Sequence, residues 1–442
     1  MSSDKSYYAD RKINWAGELL YGKYVLINKL GHGSYATVWS CYDCQKNKYC
    51  AIKISNLSDY KYGKIEAKKY EKILNFRSQK FTNIIDSFEH DTDDGIHYCF
   101  TMDLMADSLY DFMDKYFPNG LPFNTVMNIT HQILEGLSVL HNNGIIHADV
   151  KPENILISGM STKQKTIFEN LNIEKIIKSS TSGKNLFKNK TILHNVINQI
   201  KNKLNVDNNS DSMSNSDSDC DESLSEISDD TNTDKSFDLS DDDTESYYND
   251  DQTILDDYAK SVIQSPIIKL ADLGSSLDKT QKHTNHIQTC YYKAPEVLLR
   301  NGYNYACDMW SLGCMIYELL TGKILFDPDD SDGNIKKYHL YLMAKKLGMM
   351  PKNIMKSSPK RHVYFTADLN HIKGHNKIRY SPLINDLNFI ADNNKLSESV
   401  RNQFIDFIMR MFKYDDTKRL TANEALKHDL FTNKSLRTPF TT

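Results

Sequence analysis

"HADVKPENIL", His147–Leu156, decides how the rest of the chain is read. A carboxylate (Asp149), an ammonium (Lys151) and an amide (Asn154) follow one another closely and run straight into the strand-like "NILI". Upstream, "FNTVMNITHQILEGLSVLHNNG" places Val126, Ile129, Ile133, Leu137 and Leu140 at helical spacing. The stretch therefore reads as a polar loop between a buried helix and a strand. If Asn154 is to hold a metal ion, an acidic oxygen donor must join it, and none follows directly.

The residue types suit phosphoryl transfer to an alcohol. The attacking hydroxyl has to be oriented and relieved of its proton by one carboxylate, Asp149. Lys151 can neutralise charge on the transferred phosphate, and Asn154 offers an oxygen to Mg²⁺. The missing donor comes 118 positions later in "PIIKLADLGSS", where an apolar strand ends in Asp272-Leu273-Gly274. Asn154 and Asp272 then lie on two strands expected to pair, with everything between them an excursion from the turn. Loop closure tolerates this, because each doubling of length costs only about 0.6 kcal/mol.

Nearer the front, "YVLINKLGHGSYATVWSCYD" (24–43) reads as strand, glycine turn, strand. Glycines at 31 and 33 let backbone N–H groups approach phosphate oxygens, although Ala36 replaces a third glycine and such turns also occur in plain hairpins. In "YCAIKIS", Lys53 stands among apolar neighbours. If buried it needs an anion; the alternative is an exposed strand lysine. The helix "YGKIEAKKYEKILNF" supplies that anion, with Glu66, Tyr70, Ile73 and Leu74 on one face. Glu66 is favoured as the Lys53 partner and Glu71 is its rival.

With 442 residues, 40% hydrophobic and 25% charged, the chain can bury a large core. Its short apolar runs and the polar start "MSSDKSYYAD" point to neither a membrane span nor a secretory signal, so a cytoplasmic or nuclear location is expected. The eight cysteines are scattered, which implies reduced thiols and no disulfide framework or zinc site. Two blocks of opposite charge interrupt the chain. Residues 161–206 carry nine Lys and two Glu, and are expected either to form short amphipathic helices or to stay loose. From 207 to 257 there are 19 Asp/Glu and one Lys, a composition expected to be disordered. Replacing 160–262 by a short turn is accordingly expected to leave folding and basal activity intact.

The ordered set GHGSYATV (31–38), AIK (51–53), HADVKPEN (147–154), DLG (272–274), APE (294–296), DMWSLG (308–313) and Arg419 resembles the eukaryotic protein kinases. That resemblance implies an α+β, bilobal fold with a small β-rich N-lobe, a larger helical C-lobe, and ATP with Mg²⁺ in the cleft between them. The division it implies is an N-terminal extension at 1–23, N-lobe at 24–105, first part of the C-lobe at 106–157, low-complexity spacer at 158–265, second part of the C-lobe at 266–435 and a tail at 436–442.

Family roles carried onto matching positions make Asp149, Lys151, Lys53 and Glu66 catalytic, and Asn154 and Asp272 the metal ligands. The nucleotide would meet Leu30, Gly31, His32, Gly33, Ser34, Tyr35, Ala36, Thr37, Val38 and Lys53. Met102 stands at the gatekeeper position, with Asp103 and Met105 in the hinge against adenine. Thr289 belongs to the substrate-binding loop.

Within the family the chain is most similar to the SR-protein kinases of the CMGC group. The likeness lies in "HIQTCYYKAPEVLL", "GYNYACDMWSLGCMIYELLTGKILFDP", "KKLGMMPKNI" and the long spacer. Two features depart from the usual pattern. Ala148 stands where most kinases have an arginine that binds a phosphorylated activation-loop residue. The whole chain carries −4, while residues 158–265 hold 21 acidic and 11 basic side chains, which leaves the rest at +6. A surface for Arg/Ser repeats should be acidic; Asp327, Asp329, Asp330 and Asp332 contribute, but Lys336 and Lys337 follow.

The resulting expectation is a monomeric serine/threonine kinase acting on protein substrates, Arg/Ser-rich ones being candidates, with no direct nucleic-acid or membrane binding. The alternative is a pseudokinase scaffold binding partners through the acidic insert.

Overall fold

The computed structural model describes residues 15–181, 190–208, 255–278, 287–329, 333–375 and 377–432. Asp330, Asp332, residues 209–254 of the acidic tract and the tail 436–442 lie outside the described residues, as do residues 1–14.

The N-lobe is a six-stranded sheet in the order β1-β2-β3-β4-β6-β5. Its strands are β1 (Leu19–Leu20), β2 (Tyr24–His32), β3 (Ala36–Asp43), β4 (Lys48–Ser55), β5 (Ile84–Thr92) and β6 (Gly95–Asp103), all antiparallel neighbours. Helix α1 (Tyr60–Leu74) packs on it by burying Ala67, Tyr70 and Ile73, spaced as one helical face. Alternation along β2 sends side chains to both faces of the sheet. Tyr24 and Leu26 join Trp39, Cys41 and Phe88 in one cluster, while Val25 and Ile27 join Tyr42 and Cys44 in another.

The second cluster is completed by residues of the expected spacer. Helices α4 (Thr162–Leu171), α5 (Ile173–Thr181) and α6 (Lys190–Asn208) bury Phe168, Leu171, Ile173, Ile176, Val196, Ile197, Ile200 and Leu204 against Val25, Ile27 and Tyr42. The Phe168 ring stacks on Tyr49 with centroids 3.9 Å apart. A capping box, Ser161 with Gln164, starts α4. Of the two states open to the Lys-rich block its described residues adopt the helical one, because the N-lobe sheet supplies the apolar surface that the block alone lacks.

Before these come α2 (Leu109–Tyr116) and the long α3 (Phe123–Asn142), the centre of the C-lobe. Strand β7 (Met105–Ser108) leads in from the hinge, β8 (Ile145–Ile146) follows α3, and β9 (Ile155–Ser158) follows the catalytic loop. Strand β10 (Ile268–Leu270) pairs antiparallel with β9, which in turn pairs with β7, and β11 (Leu277–Asp278) pairs with β8. The expected strand pair behind Asn154 and Asp272 is therefore present.

The far end of the spacer also differs from expectation. Helix α7 (Asp257–Gln264) buries Tyr258, Ala259 and Val262 in the C-lobe core. Its N-cap, Asp256, accepts hydrogen bonds from Tyr116 and Thr162. Residues 255–265 are thus structurally part of the C-lobe. Beyond them lie α8 (Pro295–Leu299), the largely buried α9 (Ala306–Thr321) and α10 (Ile335–Leu347), followed by shorter helices to Thr432. No described helix is long and apolar enough to cross a membrane.

Candidate active site

The site forms where the N-lobe sheet, α1 and the loops of the C-lobe meet. Strand β4 carries Lys53 between Val38 on β3 and Phe100 on β6. Its Nζ lies 2.7 Å from Glu66 Oε1 and 3.2 Å from Asp272 Oδ1. Burial by itself would lower the Lys53 pKa, but the two carboxylates outweigh it and hold the ammonium charged. Partial burial likewise opposes ionisation of Asp272, and Lys53 brings its pKa below the ordinary value. Glu66 is pushed up by burial, with Lys53 opposing. The anion for Lys53 is Glu66; Glu71 instead accepts from the Ser87 hydroxyl.

The catalytic loop hangs from one buried residue. Asp308 on α9, fully buried, accepts from His147 N–H and Ala148 N–H, each at 2.8 Å, and faces His141 Nε2 at 2.9 Å. Asp149 follows. Its Oδ1 accepts from Thr289 N–H (3.1 Å) and Thr289 Oγ1 (2.8 Å), and its Oδ2 from Asn154 Nδ2 at 3.0 Å. Lys151 Nζ lies 3.2 Å from Asp149 Oδ2 and donates to Thr289 Oγ1 at 2.9 Å. Asp149, Lys151, Asn154 and Thr289 thus form one hydrogen-bonded group, and Asp272, whose neighbour Ala271 donates to Asn154 O, joins it to the Lys53–Glu66 pair.

Three residues here adopt left-handed backbone without being glycine: Ala148 (φ 68°), Asp272 (φ 55°) and Gln288 (φ 64°). Such a conformation costs about 1–2 kcal/mol for an L-residue, so surrounding bonds must impose it. Gln288, which sequence reasoning did not single out, provides several. Its N–H donates to Ala148 O, and its side-chain amide binds Cys307 O, Ser311 Oγ and Ala294 N–H. Gly274 is needed for a different reason. A Cβ there would come 3.2 Å from Asp272 Oδ1 and 3.5 Å from the Glu66 carboxyl.

The nucleotide candidates are less uniform. The turn between β2 and β3 is held by Asn56, which binds Ser34 O and Tyr35 O. An added Cβ on Gly31 would meet nothing within 4 Å, and one on Gly33 only Ala36 O at 3.9 Å, so the turn roofs open space. Leu30 and Tyr35 are exposed, His32 Nδ1 lies 3.1 Å from Thr37 Oγ1, and Val38 is half-buried against the core. Ala36 and Met102 are buried. The Asp103 side chain accepts from Asn83 and Lys269. Met105 O accepts from Gln164 Nε2 at 2.9 Å, a contact from α4 to the hinge that has no sequence signal.

The residues fit a magnesium nucleotide. Both Nδ2 hydrogen bonds of Asn154 go to Asp149, which leaves its Oδ1, and Lys53 engages one oxygen of the half-exposed Asp272 carboxylate. Two hard oxygen donors suit Mg²⁺, which takes phosphate oxygens and water for the remainder. Among the described residues no group of three or more His, Cys, Asp or Glu could hold a metal alone.

Comparison with known proteins agrees with this geometry. The protein kinase domain profile matches residues 24–171 and 252–431, breaking where the charged insert lies. The chain is similar to the L205 protein of Acanthamoeba polyphaga mimivirus, 29% identical over 95% of this chain and 89% of that one. It is also similar to the serine/threonine-protein kinase AFC3 of Arabidopsis thaliana, 26% identical over 93% of this chain and 83% of the other. The serine/threonine-protein kinase SRPK of Physarum polycephalum is 26% identical over 93% and 86% of the two chains.

Proposed function

The chain belongs to the protein kinase family and is a protein serine/threonine kinase; from that premise we propose which of its residues perform the transfer and what substrates it prefers. The observation that carries the reading is the hydrogen-bonded group around Asp149, set opposite the Lys53–Glu66 pair. In this reading Asp149 orients the attacking hydroxyl and takes up its proton, while Thr289 and Lys151 hold the carboxylate still. Lys151 neutralises charge as the new bond forms. Lys53, fixed by Glu66, binds nucleotide phosphates under the turn at Gly31 and Gly33, and Asn154 and Asp272 hold the metal. Bound ATP with Mg²⁺ supplies the phosphoryl group and neutralises its charge. The Asp103–Met105 segment and Met102 would face the base. The work is ascribed to one monomer, in cytoplasm or nucleus, with no nucleic acid as direct ligand.

Arg/Ser-rich proteins are the substrate class we favour. Glu318 is pushed up to about 7 by burial, against the hydrogen bond from Tyr292, with the Glu153 carboxylate adding to the rise. Glu153 is raised by burial, with a backbone hydrogen bond and Lys151 opposing and Asp149 and Asp111 adding to the rise. A basic side chain flanking the acceptor favours the ionised form of each, against the burial that raises them. The test is transfer from labelled ATP-Mg²⁺ to serine peptides with arginine, neutral or acidic flanks, with Asp149→Asn as control. Labelling is expected in the order arginine, neutral, acidic, and none with the variant. Equal labelling by the Asp149→Asn protein would end the catalytic assignment, and acidic flanks labelled best would end the substrate one.

A further inference from the structure

The backbone around Asp272 is held from two sides. Ala271 N–H donates to Asn154 O at 2.9 Å, which ties the strand end to the other proposed metal residue. The next amide, Asp272 N–H, has no strand partner and donates instead to the Tyr70 hydroxyl on α1, at 2.9 Å. Tyr70 is 2% exposed, its ring packed near Phe100. One residue earlier on α1, Lys69 Nζ donates to Gly274 O (2.6 Å) and Ser276 O (2.7 Å). Glu66, Lys69 and Tyr70 stand at 0, +3 and +4, so one face of α1 holds Lys53 and the loop 272–276 at once. The grip falls where Asp272 adopts its left-handed φ of 55°, a conformation that surrounding bonds must impose.

We propose that Tyr70, through its hydroxyl and assisted by Lys69, is a positioning residue that sets the metal-binding geometry of Asp272. The inference rests on the reading of Asp272 as a metal ligand given above.

The test uses the full chain with Tyr70→Phe, which keeps the ring in its packing site and deletes the acceptor. Three quantities are read: amide hydrogen exchange over 271–276, Mn²⁺ binding by electron paramagnetic resonance with a non-hydrolysable ATP analogue, and the Mg²⁺ concentration for half-maximal transfer. Loss of one hydrogen bond of this kind predicts exchange at Asp272 faster by roughly fivefold, and metal dissociation and Mg²⁺ midpoint raised by a similar factor, with the peptide KM unchanged. Lys69→Met shifts all three in the same direction. Glu71→Gln, on a side chain that meets Ser87 instead, shifts none. A Tyr70→Phe protein that melts earlier yet keeps wild-type exchange at Asp272, metal affinity and Mg²⁺ midpoint overturns the proposal and leaves Tyr70 a packing residue. If the wild type itself bound no Mn²⁺ with the analogue, the metal assignment would fail, whereas the exchange measurement still reads the Tyr70 contact.

Discussion

At the scale of single residues, the groups most legible in the sequence are those whose chemistry restricts them to few residue types. Asp149, Asn154 and Asp272 stand out because a carboxylate or amide at a strand end has few purely structural uses. Glu66 could only be favoured over Glu71, because both lie on one short helix and sequence spacing does not fix which way the helix is rolled. Tyr70 illustrates what stayed hidden: its place on the Glu66 face was readable, but its bond joins residues 202 positions apart and depends on the complete fold. Glu318 gives a prediction at this scale. With an ordinary carboxyl pKa of 4.5 and a folded value of about 7, the folded protein holds a proton that the unfolded chain has already released between those pH values. Stability therefore falls as pH rises through that window, by roughly 1–3 kcal/mol from this group, and stays lower above it. Urea midpoints at pH 4.5 and 8 are expected to differ less for Glu318→Gln than for the wild type. An unchanged difference would mean that Glu318 titrates normally.

Among the elements, the insert is where sequence and structure diverge most. Composition separates the Lys-rich block from the acidic one, but it cannot say that the first has a partner, because the buried residues of α4 and α6 acquire meaning only against Val25, Ile27 and Tyr42. The exchangeable segment is accordingly much shorter than 160–262. Replacing 209–254, outside the described residues, by a short Gly/Ser linker is expected to leave thermal stability and peptide phosphorylation within about twofold of wild type. Removing 162–208 instead strips apolar cover from β2 and β3 and deletes the Gln164 bond to the hinge carbonyl of Met105. Each large buried side chain lost is worth about 1.5–3 kcal/mol, so several together should lower the melting temperature by well over 5 °C. Differential scanning calorimetry on the two deletions separates these outcomes; equal melting temperatures would show that the helices do not support the lobe. Truncating the α7 cap with Asp256→Ala is expected to cost about 1 kcal/mol, read from the urea midpoint.

For the molecule as a whole, the question is what holds the two lobes and the substrate loop in a working arrangement, given that Ala148 has no cationic side chain to meet a phosphate. The structure replaces that charge pair with neutral, buried hydrogen bonds. Gln288 links the catalytic loop at Ala148 O to α9 through Cys307 O and Ser311 Oγ, and to the head of α8 through Ala294 N–H. From there the fixation runs outward: Glu296 on α8 makes a buried two-pronged pair with Arg419, at 2.7 and 2.9 Å. None of these contacts contains a group whose charge depends on another enzyme, and at the N-lobe side loop 272–276 is gripped by the unmodified side chains of Lys69 and Tyr70 on α1. The expected outcome is a kinase active as synthesised. Protein treated with a broad-specificity phosphatase, and shown by mass spectrometry to carry no phosphate, should retain peptide phosphorylation within about twofold. Gln288→Ala, by contrast, leaves the buried Ala294 N–H without its acceptor at about 1–3 kcal/mol and removes the strut beneath Thr289. Its kcat should fall by about an order of magnitude or more, with nucleotide affinity nearly unchanged because the Lys53 side of the cleft is untouched. Phosphatase treatment that silences the wild type, with activity restored by rephosphorylation, would show that a charged switch governs the substrate loop and that the Gln288 network alone does not hold it.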